Sequence, residues 1–159
     1  MVAADGKKVV PSAKISKPNS YVMKQVLSTL VFLFTVLSIN AQSVFKGKYY
    51  NDEHEIFLVI NFYDKDITIP GQEIYGHLDG YIGSKRTSLV WMITSSEIHS
   101  AQKASIEVVN DYGSEDADAI LIQKDENTLE YTRKKGSNLR FSKNGKWVRI
   151  PSKILFKRK

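Results

Sequence analysis

The 159-residue chain contains no cysteine. No disulfide can constrain its unfolded state, so any folded domain must be held together by packing alone. The same absence excludes a thiol nucleophile, a thiolate zinc site and an iron–sulfur cluster.

Histidine is scarce and the common enzyme motifs are missing. The three histidines, His54, His77 and His99, do not stand at zinc-binding spacing. A Gly-x-Ser-x-Gly nucleophile motif, a P-loop and a dinucleotide-binding glycine fingerprint are all absent. The sequence therefore predicts a non-catalytic protein, and it indicates no catalytic residue, no metal and no cofactor.

Only one run is long and apolar, the fourteen residues Val26–Ile39. As a helix it would span about 21 Å, less than the roughly 30 Å of a bilayer core. Lys24 precedes the run and Ala41 offers a small residue for cleavage, which is the order of a secretory signal peptide. We expect residues 23–41 to be removed on export, giving a periplasmic or secreted protein with no stable transmembrane span. An uncleaved N-terminal anchor is the alternative.

The segment before this run, residues 1–22, is polar and lysine-rich and has too few apolar residues to build a core. It is predicted to be a disordered extension; either translation starts at Met23 or the segment is a long charged leader. Residues 42–159 are long enough for a single domain with its own core.

Acidic residues are missing from the last segment, Tyr131–Lys159, which holds eleven Lys and Arg residues. In contrast, Gln42–Glu130 holds seven basic and sixteen acidic residues. This asymmetry can mark a patch for an anionic surface or an acidic protein. Alternatively, the two halves pair strand against strand, and ion pairs and solvated strand edges absorb the charge. Nucleic acid is not expected as a partner of an exported protein.

Eight to ten short strands separated by turns follow Gln42, and no helical period persists there. The pattern predicts an all-β fold, either an antiparallel up-and-down barrel or a small sandwich. Ile56–Tyr63 is apolar on both faces, which requires a covering helix or loop, or an oligomer interface. We expect Ser95–Lys103 to be a loop or a helical turn, Asn144-Gly145 to turn a hairpin, and Ile154–Lys159 to be an edge strand.

The stretch Glu73–Gly83 alternates as a strand would, with four polar-capable side chains on one face. Such a row could line a small-ligand cavity, or it could be the solvent side of a sheet. The predicted ligand-binding residues are Tyr75, His77 and Tyr81 from this stretch and Trp91 from the apolar strand Ser88–Thr94.

Another candidate is the acidic stretch Asp111–Asp116, with Asp118 just beyond it. Calcium prefers such oxygen donors, but the spacing is not that of an EF-hand. An acidic hairpin loop needs no metal, so both interpretations stay open.

Two resemblances are carried by short motifs. The C-terminal half resembles small exported bacterial β-domain proteins of unknown function through the motifs Trp91-x-Ile93, Ala104–Val108, DYGSED at Asp111–Asp116, Gly145-Lys146-Trp147, Pro151 and Phe156-Lys157-Arg158. This resemblance implies a common β domain and no activity.

The second resemblance is to the calycin barrels, the lipocalins and avidins. Gly47-Lys48-Tyr49 is similar to the Gly-x-Trp that opens a lipocalin, with Tyr49 in place of the tryptophan. The resemblance implies a lipocalin-like up-and-down barrel. It does not extend to biotin binding, because Glu55 stands where avidins place a ligand-binding serine.

Taken together, these features predict an exported, non-catalytic binding protein of unknown ligand, such as a small apolar or amphipathic molecule inside the barrel. The alternative is an envelope-surface or protein-interaction module that acts through residues 131–159.

Overall fold

Ten β-strands account for most of the computed structural model, which describes residues 43–159. The predicted extension and signal peptide lie outside the described residues. The strands are β1 (Lys46–Asn51), β2 (Ile56–Asn61), β3 (Gly80–Ser84), β4 (Val90–Ser100), β5 (Lys103–Asn110), β6 (Asp116–Asp125), β7 (Thr128–Gly136), β8 (Arg140–Lys143), β9 (Lys146–Arg149) and β10 (Lys153–Arg158).

Eight of these strands close into an up-and-down barrel. The order around the barrel is β1-β10-β7-β6-β5-β4-β3-β2, and each neighbouring pair is antiparallel. The barrel prediction is confirmed. The expectation that Ile154–Lys159 would be an edge strand is wrong, because β10 pairs with β7 on one side and β1 on the other. Closure gives this strand two partners, a constraint that local sequence does not carry.

The barrel interior is filled by side chains. Each strand directs alternate residues inward, as Ile56, Leu58 and Ile60 do on β2. The largest fully buried side chains of this core are Trp91, Tyr49, Tyr131, Phe45 and Phe156. An eight-stranded barrel is just wide enough for side chains to fill it or for one small ligand. In this protein, side chains occupy the interior.

The outer face of β2 and its neighbours carries a second apolar cluster. Phe57 and Val59 point outward from β2 and pack with Tyr81 on β3 and Met92 on β4. The connection between β2 and β3 folds back over them and contributes Ile69, and an Ile67–Leu78 bridge holds it together. The sequence required a helix, a loop or an oligomer interface to cover the second apolar face of β2. In the structure, a loop of the same chain covers it.

That covering role explains why the strand expected over Glu73–Gly83 is wrong in its first half. Glu73–Tyr75 forms a single turn of 310-helix, and Gly76 leaves it with a φ of 68°. The extended strand begins only at Gly80, where an added Cβ would lie 2.3 Å from the Val59 carbonyl oxygen. Tyr75, His77, Asp79 and Tyr81 therefore do not share a strand face.

The expected loop at Ser95–Lys103 is also wrong. Strand β4 continues to Ser100, and its pairing with β5 shifts register after Ile93 and again after Ile98. Such bulges increase the local bend of a strand, so a long polar segment can follow the barrel wall. No helix within residues 43–159 has the length and apolar character needed to cross a membrane.

Strands β8 and β9 form a separate hairpin, inserted between β7 and β10. Asn144 and Gly145 turn it with φ angles of 53° and 74°, as predicted. At its base Leu139, Phe141 and Ile150 are buried within the barrel core. The hairpin therefore covers the barrel end where β7 stops and β10 starts, which we call the hairpin end.

Arg158 locks the opposite end. Its guanidinium carbon lies 4.7 Å from the ring centroid of Tyr49, and its Nη2 donates to the phenolic oxygen of Tyr49 and to the carbonyl oxygens of Ser43 and Lys46. The Tyr49 hydroxyl donates in turn to the Val44 carbonyl oxygen. Gly47, with a φ of 133°, lets the chain pass beside the guanidinium. First and last strands are thus tied by side chains where backbone pairing covers only two residues of each strand.

We expect Arg158→Ala to lower the free energy of unfolding by about 2–4 kcal/mol, because it removes a donor to the Tyr49 phenolic oxygen and to the Lys46 carbonyl oxygen, together with the guanidinium that packs on the Tyr49 ring. Lys157→Ala is the matched control, since Lys157 is the exposed neighbour on the same strand. Urea unfolding monitored by circular dichroism measures both variants. An equal loss of unfolding free energy in both variants would contradict a specific role for Arg158 in joining the first and last strands.

Candidate functional site

A recess of about 190 Å³ opens at the hairpin end of the barrel. Three segments line it: the start of β4 with Val90 and Trp91, the β5–β6 loop from Asn110 to Glu115, and the hairpin through Arg140 and Trp147. The recess lies beside the filled interior and is bounded on one side by the hairpin.

Asn110 shapes the β5–β6 loop. Its Oδ1 accepts hydrogen bonds from the backbone N–H groups of Ser114 (2.9 Å) and Glu115 (3.3 Å), and its Nδ2 donates to the Ser114 hydroxyl at 3.2 Å. Gly113, with a φ of 67°, supplies the left-handed residue of the turn. The acidic stretch is therefore a tight loop organised by an asparagine side chain. Within residues 43–159 no group of three or more His, Cys, Asp or Glu residues is placed to hold a metal ion.

Two ion pairs fasten the hairpin across the barrel end. Arg140 on β8 makes a two-pronged contact with the Glu115 carboxylate on the β5–β6 loop. At the hairpin tip, Lys143 Nζ lies 3.3 Å from Glu55 Oε2 in the β1–β2 turn. Hydrogen bonds from Arg86 and then from Lys143 hold the pKa of Glu55 below its usual range. The more exposed Lys143–Glu55 pair is weak by itself. The Arg140–Glu115 contact is partly buried and two-pronged and therefore stronger, and together the two pairs fix the hairpin at two sides.

Three aromatic residues, together with Leu89 and Val90, contribute the apolar part of the recess lining. Trp91 is 2% exposed and forms part of the barrel core, and its Nε1 donates to the Arg140 carbonyl oxygen at 3.3 Å. Trp147 and Tyr112, in contrast, are 59% and 69% exposed. A recess with a buried indole and two exposed rings offers the flat apolar surfaces that small-ligand sites use.

Asp111 is the acidic group that stands apart in this recess. Burial raises the pKa of its carboxyl, an effect partly offset by the backbone N–H groups of Val90 and of Asp111 itself. No basic side chain of the described residues lies within ion-pair distance of it. The recess therefore contains one half-buried acid without a cationic partner.

The four residues predicted to bind ligand occupy separate places. Trp91 lines the recess, and Tyr75 reaches its rim, where the hydroxyl donates to the Asp111 carbonyl oxygen at 3.1 Å. His77 is exposed on the β2–β3 connection, and Tyr81 packs edge-to-face against Phe57 on the outer wall. The structure thus brings two of the four together and leaves two apart. Whether any of them binds a ligand remains a prediction.

Sequence reasoning did not select Asp111, Tyr112, Arg140 and Trp147 as one ligand site. The signals were present separately, since Tyr112 and Asp111 belong to the acidic loop and Trp147 follows the Asn-Gly turn. Only the fold of the hairpin over the barrel end places these segments side by side.

Part of the basic C-terminal charge is absorbed by ion pairs, as the second interpretation of the charge asymmetry expected. Arg140, Lys143, Lys153 and Lys159 each contact an acid from the acidic segment Gln42–Glu130. Lys146 and Arg149 on β9 are exposed and belong to no ion pair among the described residues.

The interior offers one further polar group. The Tyr131 hydroxyl is buried without a hydrogen-bond partner among the described residues, and its burial raises the pKa of the phenol. Most of the other side chains of the barrel core are aliphatic or phenylalanine.

Fold and site define a closed, eight-stranded up-and-down β-barrel with an aromatic recess at the hairpin-covered end. Comparisons with protein-family models, curated proteins and solved structures find no match.

Truncating the two tryptophans should change the stability of the protein by very different amounts. Trp91→Ala should lower the free energy of unfolding by about 3–5 kcal/mol, because it removes a fully buried core side chain. Trp147→Ala should change it by less than about 0.5 kcal/mol, since that ring is largely exposed. Chemical denaturation of both variants is the measurement, and a similar loss in both would show that Trp147 belongs to the core.

Proposed function

We propose that this protein is an exported, non-catalytic binding protein that holds a small ligand in the recess at the hairpin end of its barrel. The observation that carries the proposal is the pairing of exposed aromatic rings, Trp147 and Tyr112, with a half-buried carboxylate around one concave site. Rings that a soluble protein leaves exposed around a concavity are typical of a surface kept for a partner.

The filled interior argues for the recess over the barrel centre as the ligand site. A ligand inside the barrel would have to displace Leu139, Phe141 and Ile150, the hairpin residues buried there. Exposing each such side chain costs about 1.5–3 kcal/mol. A ligand in the recess displaces none of them.

The eight-stranded topology is compatible with the calycin resemblance of Gly47-Lys48-Tyr49, and binding proteins with a site at the barrel mouth suit that architecture. Export rests on the signal-peptide pattern of residues 23–41. These two features together support a periplasmic or secreted binding protein.

Mass spectrometry of protein expressed from Met23 and recovered from the periplasm tests the proposal. The denatured mass should correspond to a chain that begins at Gln42, and the native mass should exceed it by a discrete amount. Trp147→Ala should remove the excess, whereas Tyr63→Ala, an exposed aromatic on the β2–β3 connection, should retain it. A bare native monomer would count against a retained ligand, and retention of residues 23–41 would contradict cleavage.

A second candidate function is docking to an anionic surface through the basic segment 131–159. The strand β9 favours it, because Lys146, Trp147 and Arg149 are all exposed on it, and the two basic residues have no ion-pair partner among the described residues. Aromatic and basic side chains in combination are typical of binding to anionic interfaces.

Sedimentation with anionic phospholipid vesicles tests this second function. Binding should fall steeply as ionic strength rises, since exposed charge contacts are screened beyond about 10 Å at 0.1 M salt. Lys146→Glu with Arg149→Glu should abolish it, whereas Lys103→Glu on β5 should not. Binding that is insensitive to salt would contradict the docking function.

A further inference from the structure

The polar side chains around the recess differ in whether they already have partners within the protein. The side-chain oxygen of Asn110 accepts hydrogen bonds from two backbone N–H groups, and its amide nitrogen donates to the Ser114 hydroxyl. Arg140 and Glu115 are bonded to each other through two contacts. Groups that are satisfied within the protein gain little from a ligand that must first break those bonds.

Asp111 is the exception. Its carboxylate is half-buried and has no ion-pair partner among the described residues, while the charges of Arg140 and Glu115 cancel one another. The lining of the recess therefore carries one net negative charge, contributed by Asp111. A partly desolvated carboxylate attracts a cation more strongly than a fully hydrated one does.

The neighbouring aromatic rings also favour a cationic ligand. Trp147 and Tyr112 line the recess with Asp111, and Trp91 closes its inner side. The face of an aromatic ring is negative, so it attracts a cation, and tryptophan does so best. Aromatic rings around an acid are the arrangement that recognises organic ammonium groups.

Size restricts the ligand further. The recess measures about 190 Å³, below the roughly 300–1,000 Å³ of sites that hold drug-sized molecules. It has room for one small head group.

From these observations we infer that the recess selects a small organic ammonium group, which Asp111 pairs with and the rings of Trp147 and Tyr112 enclose. This inference rests on the proposed function and names the ligand class of its site. The same arrangement fits a quaternary or a primary ammonium, because both carry the charge on a compact head group.

Choline and its neutral isostere 3,3-dimethylbutan-1-ol are the probes that test it. Both tryptophans line the recess, so tryptophan emission and amide NMR shifts of Asp111 and Trp147 report binding there. Choline should bind at least about tenfold more tightly than the neutral isostere. n-Butylammonium, compared with n-butanol, extends the test to a primary ammonium.

Two variants and one control locate the effect. Asp111→Asn keeps the shape of the side chain and should weaken choline about tenfold while leaving the neutral isostere unchanged. Asp118→Asn, on the exposed face of β6, is the matched control and should change neither. Trp147→Ala should weaken choline binding as well.

The outcomes distinguish a failure of the ammonium inference from a failure of the proposed binding function. Equal binding of choline and its isostere, with both lost in Trp147→Ala, would overturn the ammonium inference and leave the recess as a binding site. Absence of any shift with all four probes would also overturn the inference, and the native mass of the periplasmic protein would then decide the proposed function independently. Choline binding that survives in Asp111→Asn would exclude the carboxylate as its partner.

Discussion

Closure of the barrel depends on the contact between Arg158 and Tyr49. The first and last strands pair through only two residues each, so backbone hydrogen bonds supply little of the energy that joins them. The guanidinium adds donors to three oxygen atoms and stacks on the phenol ring. Every other neighbouring pair in the barrel joins through at least four residues of each strand. The seam between β1 and β10 is therefore the place where the sheet would open into two exposed edges.

The opposite end is organised by the inserted hairpin. Its inward residues complete the core, and its outward residues create the recess with the β5–β6 loop. One short element therefore both seals the apolar interior and builds the candidate site. The ion pairs to Glu115 and Glu55 fix two sides of the hairpin and so hold the recess in shape.

Outside the barrel, the β2–β3 connection serves both structure and site. It covers the apolar outer face of β2, and it carries Tyr75 along the wall to the rim of the recess. Tyr75 was predicted as part of a strand, but it reaches the recess from a loop. The alternating pattern around it did not form a strand, because this segment turns to cover the outer face of β2. His77 and Tyr81 share that loop and the following strand but face elsewhere.

The sequence alone determined the all-β class, most strand positions and the Asn144-Gly145 turn, because alternation and turn residues act over a few neighbours. It also identified Ile56–Tyr63 as covered on both faces. The tertiary structure decided which strands meet at the seam, that β4 extends through Ser100, and that a loop crosses the outer wall. It alone assembled Asp111, Tyr112, Arg140 and Trp147, since residues separated by some thirty positions become neighbours only when the barrel closes and the hairpin folds over its end.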